Sequence, residues 1–393
     1  MVVPRHDGGG FAALPATVAR LLGVGEGGVA LDGLPARARH VVLVLLDAFG
    51  WRFFTRHGDH PLLRRFDAVV PLTTQFPSTT TAHVTTLHSG VALGEHGLYE
   101  WNVYEPSLDA LVTPMLFCFA GDGARDTLLR AGADPAALLS AGSTLYERLA
   151  HAGVACHMFG PATFTPSTYD GVFARGADIH PVADLPAGLA ELAATLRATP
   201  GPAYAYLYWD EVDAIGHEHG PSSPQFAAVS ERCLDALDTG LRALPEGTVV
   251  LLAADHGQVD VDPATTVYVN EAWPPIVDLL ARGSNGRLLA PAGSARDLFL
   301  HCRPGAVDEV IDGLARLLGE RATVHRVADL VAAGWLGAVG ERLRARLADV
   351  CVLPGPGETV WWRERHRFDM HFRGHHGGLS EEEARTQVAA LVV

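Results

Sequence analysis

Residues 39–47 read RHVVLVLLD, and the run HVVLVLL at 40–46 decides the fold. Six consecutive apolar residues after His40, three of them β-branched valines, with no polar alternation predict a strand buried on both faces, as found in parallel sheets covered by helices. The run ends in a carboxylate, Asp47. Two further runs have the same form, AYAYLYW at 203–209 and TVVLLA at 248–253. Asp210 and Asp213 follow the first, and Asp255 follows the second. Alanine-rich helical patterns at Leu185–Ala198 and Gln225–Ala243 lie between them. Strands alternating with helices, with acids at the strand ends, predict a doubly wound α/β sheet carrying helices on both faces and a site along its carboxyl edge.

The pattern changes from Pro263 to Asp349. There RDLFLHC (296–302), a helical stretch at Ala306–Leu318 and ATVHRV (322–327) predict a small inserted α/β cap. The expected organisation is a core over 1–263, a cap over 264–349, and a return to the core over 350–393, opening with ADVCVLP.

Composition narrows the classes of function. At 393 residues, 48% hydrophobic and 19% charged, the chain is globular, and no apolar run approaches the roughly 20 residues of a membrane span. A formal charge of −15 argues against a nucleic-acid polymer as partner. There is no lysine, so every fixed side-chain cation is an arginine. Five scattered cysteines, none in CxxC spacing, argue against a thiolate zinc site and a disulfide framework. With no signal-type segment at residues 1–25, the expected compartment is the cytoplasm. Oligomeric state has no signature in the sequence. A glycine-rich segment at 23–28, GVGEGG, follows no strand and is a poor nucleotide-binding motif.

Four segments offer metal-ligand chemistry. They are Asp47 in LLDAFGW, Asp213 and His217 in DAIGH, Asp255 and His256 in AADHGQ, and His376 with His375 in GHHGG. Imidazole mixed with carboxylate suits zinc. In DAIGH a turn is expected to aim both side chains at one point. Singly, each motif is ordinary: an Asp after a buried strand is more often a helix cap than a ligand, and HisHis pairs are usually exposed. What carries weight is their combination at strand ends. The segment QFPSTTTAHVTTLHSG (75–90) adds hydroxyls at a helix start, where N–H groups face an anion. A Ser/Thr-rich N-cap is the ordinary reading of that segment, and an activated threonine nucleophile is the functional one.

In this order along the chain, these segments resemble the alkaline phosphatase superfamily, and within it the type I phosphodiesterases/nucleotide pyrophosphatases. The resemblance implies two zinc ions, with other divalent metals as substitutes. One ion would be held by Asp213, His217 and His376, the other by Asp47, Asp255, His256 and the nucleophile. Counting back from Ser89–Gly90 by the family's interval reaches Thr80, with Thr79 as the alternative. The chain departs from the family's TFPN segment, since Gln75 stands for its Thr and Ser78 for its Asn, which leaves the phosphate-binding partner open. His83, Tyr99 and Trp101 are the candidates for substrate contact.

The implied activity is hydrolysis of a phosphodiester or nucleotide pyrophosphate through a covalent phospho-threonine on a small phosphoester or nucleotide substrate. No arginine lies between Gln75 and Glu100 to grip a monoester, which favours diesters. Phosphomonoester or phosphonate hydrolysis, phosphoryl transfer, and ligand binding without turnover are the alternatives on the same scaffold. Sulfatases are set aside, because Cys118 in FCFAG is not in their CxPxR context.

Overall fold

The computed structural model describes residues 1–140, 142–364 and 367–393. Among them, seven strands form a central sheet in the order Ala68–Thr73, Arg385–Val392, Val249–Ala253, His40–Leu46, Ala203–Trp209, Ala155–Pro161, Asp178–Val182. His40–Leu46 lies in the middle, parallel to both neighbours, with Val42 opposite Ala205 on one side and Val250 on the other. The single strand running against the rest is Arg385–Val392, which is antiparallel to both of its partners.

The pleat explains why the central run is apolar throughout. Val41, Leu43 and Leu45 project into one layer with helices Leu14–Leu21, Thr80–Ser89 and Leu145–His151. Val42, Val44 and Leu46 project into the other with Leu185–Ala198 and Pro224–Leu241. Every residue of this strand is buried. Each such Val or Leu contributes about 1.5–3 kcal/mol, so the strand demands a helix layer on each side.

A second, four-stranded sheet has the order Ala292–Ser294, Asp297–Leu300, Val350–Pro354, Ala322–Arg326, and its neighbouring strands are antiparallel. Val310, Leu314 and Leu318 of helix Val307–Leu318 share an apolar cluster with Leu298, Leu300, Val350 and Val352. This corrects one expectation. The ADVCVLP run does not reopen the core, because its strand, Val350–Pro354, lies inside the smaller sheet, and the chain rejoins the central sheet only at Arg385. The run is apolar because both its faces are buried, Val350 and Val352 within the smaller lobe and Cys351 and Leu353 against the main core. A third, antiparallel sheet of Val103–Glu105, Ala110–Thr113 and Cys118–Phe119 had no counterpart in the sequence reading.

One buried ion pair ties the lobes together. Arg296 donates Nε to Glu383 Oε1 at 2.9 Å and Nη2 to Oε2 at 2.8 Å, and its Nη1 reaches the Gly355 carbonyl at 2.6 Å. Both side chains are at most 1% exposed. Glu383 also accepts the Gly378 N–H at 3.0 Å, so the pair fixes the loop carrying His376. Removing one partner strands a buried charge, so Glu383→Ala is expected to cost about 3–5 kcal/mol in a denaturant titration. A loss under 1 kcal/mol would mean that the loop is held by something else.

Candidate active site

Three chain segments end at the carboxyl edge of the central sheet and bring their acids and histidines together. Asp47 directly follows strand His40–Leu46, and its N–H bonds the Trp209 carbonyl at 3.0 Å. Asp255 and His256 follow strand Val249–Ala253, and Asp255 Oδ1 accepts the N–H groups of Ala48 at 3.2 Å and His256 at 3.0 Å. The chain leaves this point through Gly257, where a Cβ would stand 2.0 Å from the Glu382 carbonyl oxygen. Asp213 and His217 lie four residues apart on helix Glu211–His219, where 3.6-residue periodicity places both on one face. The turn expected in DAIGH is therefore a helical turn within that helix. His376 arrives from the loop before Glu381–Ala384.

Ligand atoms of Asp47, Asp255 and His256 lie within 4.8 Å of one another, as do those of Asp213, His256 and His376. His217 Nε2 stands 3.4 Å from Asp213 Oδ2, and its ring centroid is 5.1 Å from that of His376. The three histidines share one hydrogen-bonding scheme. Nδ1–H donates to a backbone carbonyl in each: Gly374 at 2.8 Å for His217, Gly257 at 3.2 Å for His256, and Ser78 at 2.9 Å for His376. That fixes the tautomer and leaves each Nε2 lone pair turned toward the carboxylates, the arrangement histidine adopts as a metal ligand.

The carboxylates are short of positive charge. Burial first, then the charges of Asp255 and Asp213, hold Asp47 well above the usual carboxylate range. Asp213 is pushed up to about 6 by burial, with His217 opposing and Asp255 adding to the shift. Burial also raises Asp255 and holds His256 and His376 well below the ordinary imidazole range. Asp47 Oδ1 and Asp255 Oδ2 are buried without a hydrogen-bond partner. Orphaned carboxylate oxygens facing unprotonated imidazoles fit divalent cations, which satisfy both at once.

Thr80 opens helix Thr80–Ser89, and its Oγ1 is 3.1 Å from His256 Nε2. Thr79, the N-cap, turns its side chain elsewhere. A cavity of about 390 Å³ lies on the Asp213, His217 and His376 side, walled by Trp101, Trp361, Phe368 and Phe372. A second, of about 280 Å³, lies on the Asp47 side and includes Arg125 and Tyr208. The two share Thr80, Trp101, Leu116 and Asp213. Trp101, 40% exposed, thus reaches both cavities.

The other two substrate candidates do not reach them. His83 is fully buried, with its Nε2 accepting the Gln75 N–H at 2.8 Å and its Nδ1–H donating to the Thr79 carbonyl at 2.6 Å, so both nitrogens are spent on the fold. Tyr99 is fully buried edge-on to Phe299 at 5.2 Å.

A sequence profile described as type I phosphodiesterase / nucleotide pyrophosphatase matches residues 41–379. The chain belongs to this family. Its members are metal-dependent phosphoester hydrolases, and the strand ends that bear the acids and histidines all fall inside the matched span. No curated protein sequence matches the chain. Among solved structures, murine ectonucleotide pyrophosphatase / phosphodiesterase 5 superimposes with a TM-score of 0.65 at 17% identity, covering 89% of this chain and 87% of its own. An inactive variant of that murine protein was solved in complex with AMP. Phosphonoacetate hydrolase from Sinorhizobium meliloti, solved with phosphonoacetate, superimposes with a TM-score of 0.63 at 16% identity, covering 92% of each chain. At such identities the likeness is one of fold.

This family member also has two supporting side chains that the motifs did not reveal. The Tyr208 hydroxyl donates to Asp47 Oδ2. Gln258 Nε2 donates to the Asp213 carbonyl oxygen at 3.1 Å and to its Oδ1. At Gly216 a Cβ would stand 2.0 Å from Gln258 Oε1, so the glycine of DAIGH makes room for that amide. A signal for Gln258 was present in AADHGQ, two residues past His256. Tyr208 had none beyond its place near a strand end.

Proposed function

We propose that the chain hydrolyses phosphodiesters with Thr80 as nucleophile, using two divalent cations, zinc by the chemistry of the donors. Asp213, His217 and His376 would hold one, and Asp47, Asp255, His256 and Thr80 the other. The observation that carries the reading is the position of Thr80 Oγ1, beside His256 and at the junction of the two cavities. Cations held by these residues would lower the pKa of the Thr80 hydroxyl and offset charge on phosphoryl oxygens.

Thr80 Oγ1 attacks phosphorus as the opposite ester bond breaks, giving a phospho-threonine and an alcohol. Water then cleaves the Thr80 ester, so the first product leaves before the second. The N–H groups of the first turn of Thr80–Ser89 face the transferred oxygens. Trp101 flanks the substituents on both sides.

Two cavities meeting at the nucleophile suit a phosphorus bearing two substituents. Among the described residues, no arginine lines the larger one, and Arg367 beside it donates to the Ala120 and Gly121 carbonyls. Arg125 lines the smaller cavity, which also holds Thr80, and the aromatic walls of the larger one favour an uncharged, apolar leaving group over a phosphorylated one. Five buried free cysteines support a reducing compartment such as the cytoplasm.

The test is turnover of bis-p-nitrophenyl phosphate against p-nitrophenyl phosphate by zinc-loaded protein. Diester turnover at least about tenfold faster in kcat/KM is expected, which is 1.4 kcal/mol of preference. Faster monoester turnover would overturn the diester assignment, and turnover of neither ester would overturn hydrolysis of this class.

A further inference from the structure

Unlike the other acids and histidines of the site, which directly follow strands or lie on a helix, His376 comes in on a loop, and two glycines, Gly377 and Gly378, come next. Glycine has the freest backbone of any residue, so a side chain on such a loop keeps its place only through bonds to something firmer. Gly377 admits no stiffer replacement. Its φ is +126°, and a Cβ there would stand 2.6 Å from Asp297 Oδ1 and 2.9 Å from Ser294 Oγ.

The firmer element is Ser78, 298 to 300 residues earlier in the chain and fully buried. Its N–H donates to the Gly377 carbonyl at 3.2 Å, and its carbonyl accepts the Nδ1–H of His376 at 2.9 Å. Its hydroxyl donates to the Gly378 carbonyl at 2.8 Å and accepts the Gly377 N–H at 3.1 Å. Three of the four backbone polar groups of the glycine pair are thus bonded to Ser78, and the fourth, the Gly378 N–H, goes to Glu383. With every polar group of that buried turn paired, the loop has one position. Two residues after Ser78, Thr80 opens its helix with Oγ1 3.1 Å from His256 Nε2, and the His376 ring stacks on the same imidazole with centroids 3.6 Å apart. Thr80 and His376 therefore rest on one ring and are tied to one serine.

We propose that Ser78 clasps the two segments into one unit, so that a cation held by His376 also sets the position of Thr80. This rests on the readings of Thr80 as nucleophile and of His376 as ligand. Ser78 acts through both and is a positioning residue. Coupling of this kind is reciprocal: whatever orders the His376 loop orders the start of the nucleophile's helix, and loosening the clasp weakens both. The hydroxyl is the specific part. The two backbone bonds of Ser78 survive a change of side chain, and the two made by its hydroxyl do not.

The test measures zinc dissociation from the full chain by chelator competition, with the step belonging to His376 identified from His376→Ala, and amide hydrogen exchange with and without saturating zinc. The His83 N–H closes the first turn of the nucleophile's helix on the Thr79 carbonyl. In the wild type, zinc is expected to slow exchange there and at the Gly377 N–H by at least about tenfold. Ser78→Ala should weaken the His376 step by roughly 10- to 100-fold, as loss of an outer partner of a metal-binding histidine does, and the other step by no more than about threefold. It should also abolish the effect of zinc on His83. The kcat for bis-p-nitrophenyl phosphate should fall by roughly 10- to 100-fold with KM within about threefold. Ser78→Thr, which keeps the hydroxyl, should restore zinc affinity and kcat to within about threefold of the wild type.

Equal weakening of both zinc steps would make Ser78 a plain structural residue and overturn the proposal. So would zinc that leaves His83 exchange unchanged in the wild type, or a Ser78→Ala variant with both readouts intact. If Ser78→Ala does not fold, Ser78→Thr against Ser78→Cys, whose thiol is a weak hydrogen-bond partner, gives the same comparison. Coupled exchange without ester turnover would sink the hydrolase reading and leave the clasp standing, whereas turnover without coupled exchange would sink the clasp alone.

Discussion

Thr80→Ala is expected to lower kcat for the preferred diester by at least about 10³-fold, with metal content and melting temperature near those of the wild type. Loss of an attacking group in hydrolases that act through a covalent intermediate reaches about 10⁴- to 10⁶-fold, and residual rate comes from the remaining binding groups. The geometry separates the two candidate threonines. Thr80 Oγ1 lies 3.1 Å from His256 Nε2, among the acids, whereas Thr79 is the N-cap of that helix and its hydroxyl bonds none of the site's acids or histidines among the described residues. Thr79→Ala should therefore retain the burst of first product that a covalent intermediate produces, while Thr80→Ala should lose it. Rapid-quench measurement of the first turnover checks this. A burst that survives in Thr80→Ala would remove Thr80 from the mechanism.

Stripping the metal is the second large effect. Activity should vanish, and each cation present at 1,000 times its dissociation constant should add about 4 kcal/mol of stability when restored. The gain should widen with pH. In the stripped protein, Asp47, Asp213 and Asp255 have raised folded values, so their contribution is full below the ordinary 3.8 and is lost as pH rises through the folded values, about 6 for Asp213. His256 and His376 are depressed, so their contribution is present above 6.5 and lost as pH falls. Below 6.5 the two effects oppose each other. Above it these histidines are neutral in both states, so of this set only the raised carboxylates still weigh on the stripped fold. Bound cations reverse that penalty, because they bind the deprotonated carboxylates. Melting curves at pH 6.5 and 8.5, with zinc and with chelator, test it. A metal-induced shift that shrinks with pH would contradict the ligand assignment.

The central strand was legible in the sequence because a run such as HVVLVLL has one comfortable environment, between two helix layers. The candidate acids and histidines stood out for a related reason, since Asp47, Asp255 and His256 follow strands and Asp213 and His217 lie on the helix after a third, while His376 comes in on a loop. What periodicity cannot show is which sheet claims a buried run. VCVLP has the same texture as the core strands, and it lies in the smaller sheet because its two faces meet two different apolar clusters. Nor does spacing show where a side chain points within a helix. His83 lies only three residues past Thr80 but turns inward to bond Gln75 and Thr79, and Tyr99 lies two residues before exposed Trp101 but packs on Phe299. Gln258 stands inside the AADHGQ segment, but Tyr208, which holds Asp47, belongs to no local motif. Three-dimensional proximity alone reveals Tyr208.

The position of Arg385–Val392 between Ala68–Thr73 and Val249–Ala253 has a consequence for synthesis on the ribosome. The strand that joins those two is the last of the seven to emerge, so a nascent chain carries both of their edges bare until Arg385–Val392 is translated. His376 and Glu383 emerge just before that strand, so a chain stopped short of residue 376 has neither a closed sheet nor a full set of acids and histidines. An early stop codon before Arg385 would therefore yield aggregating, inactive protein rather than a weakened enzyme.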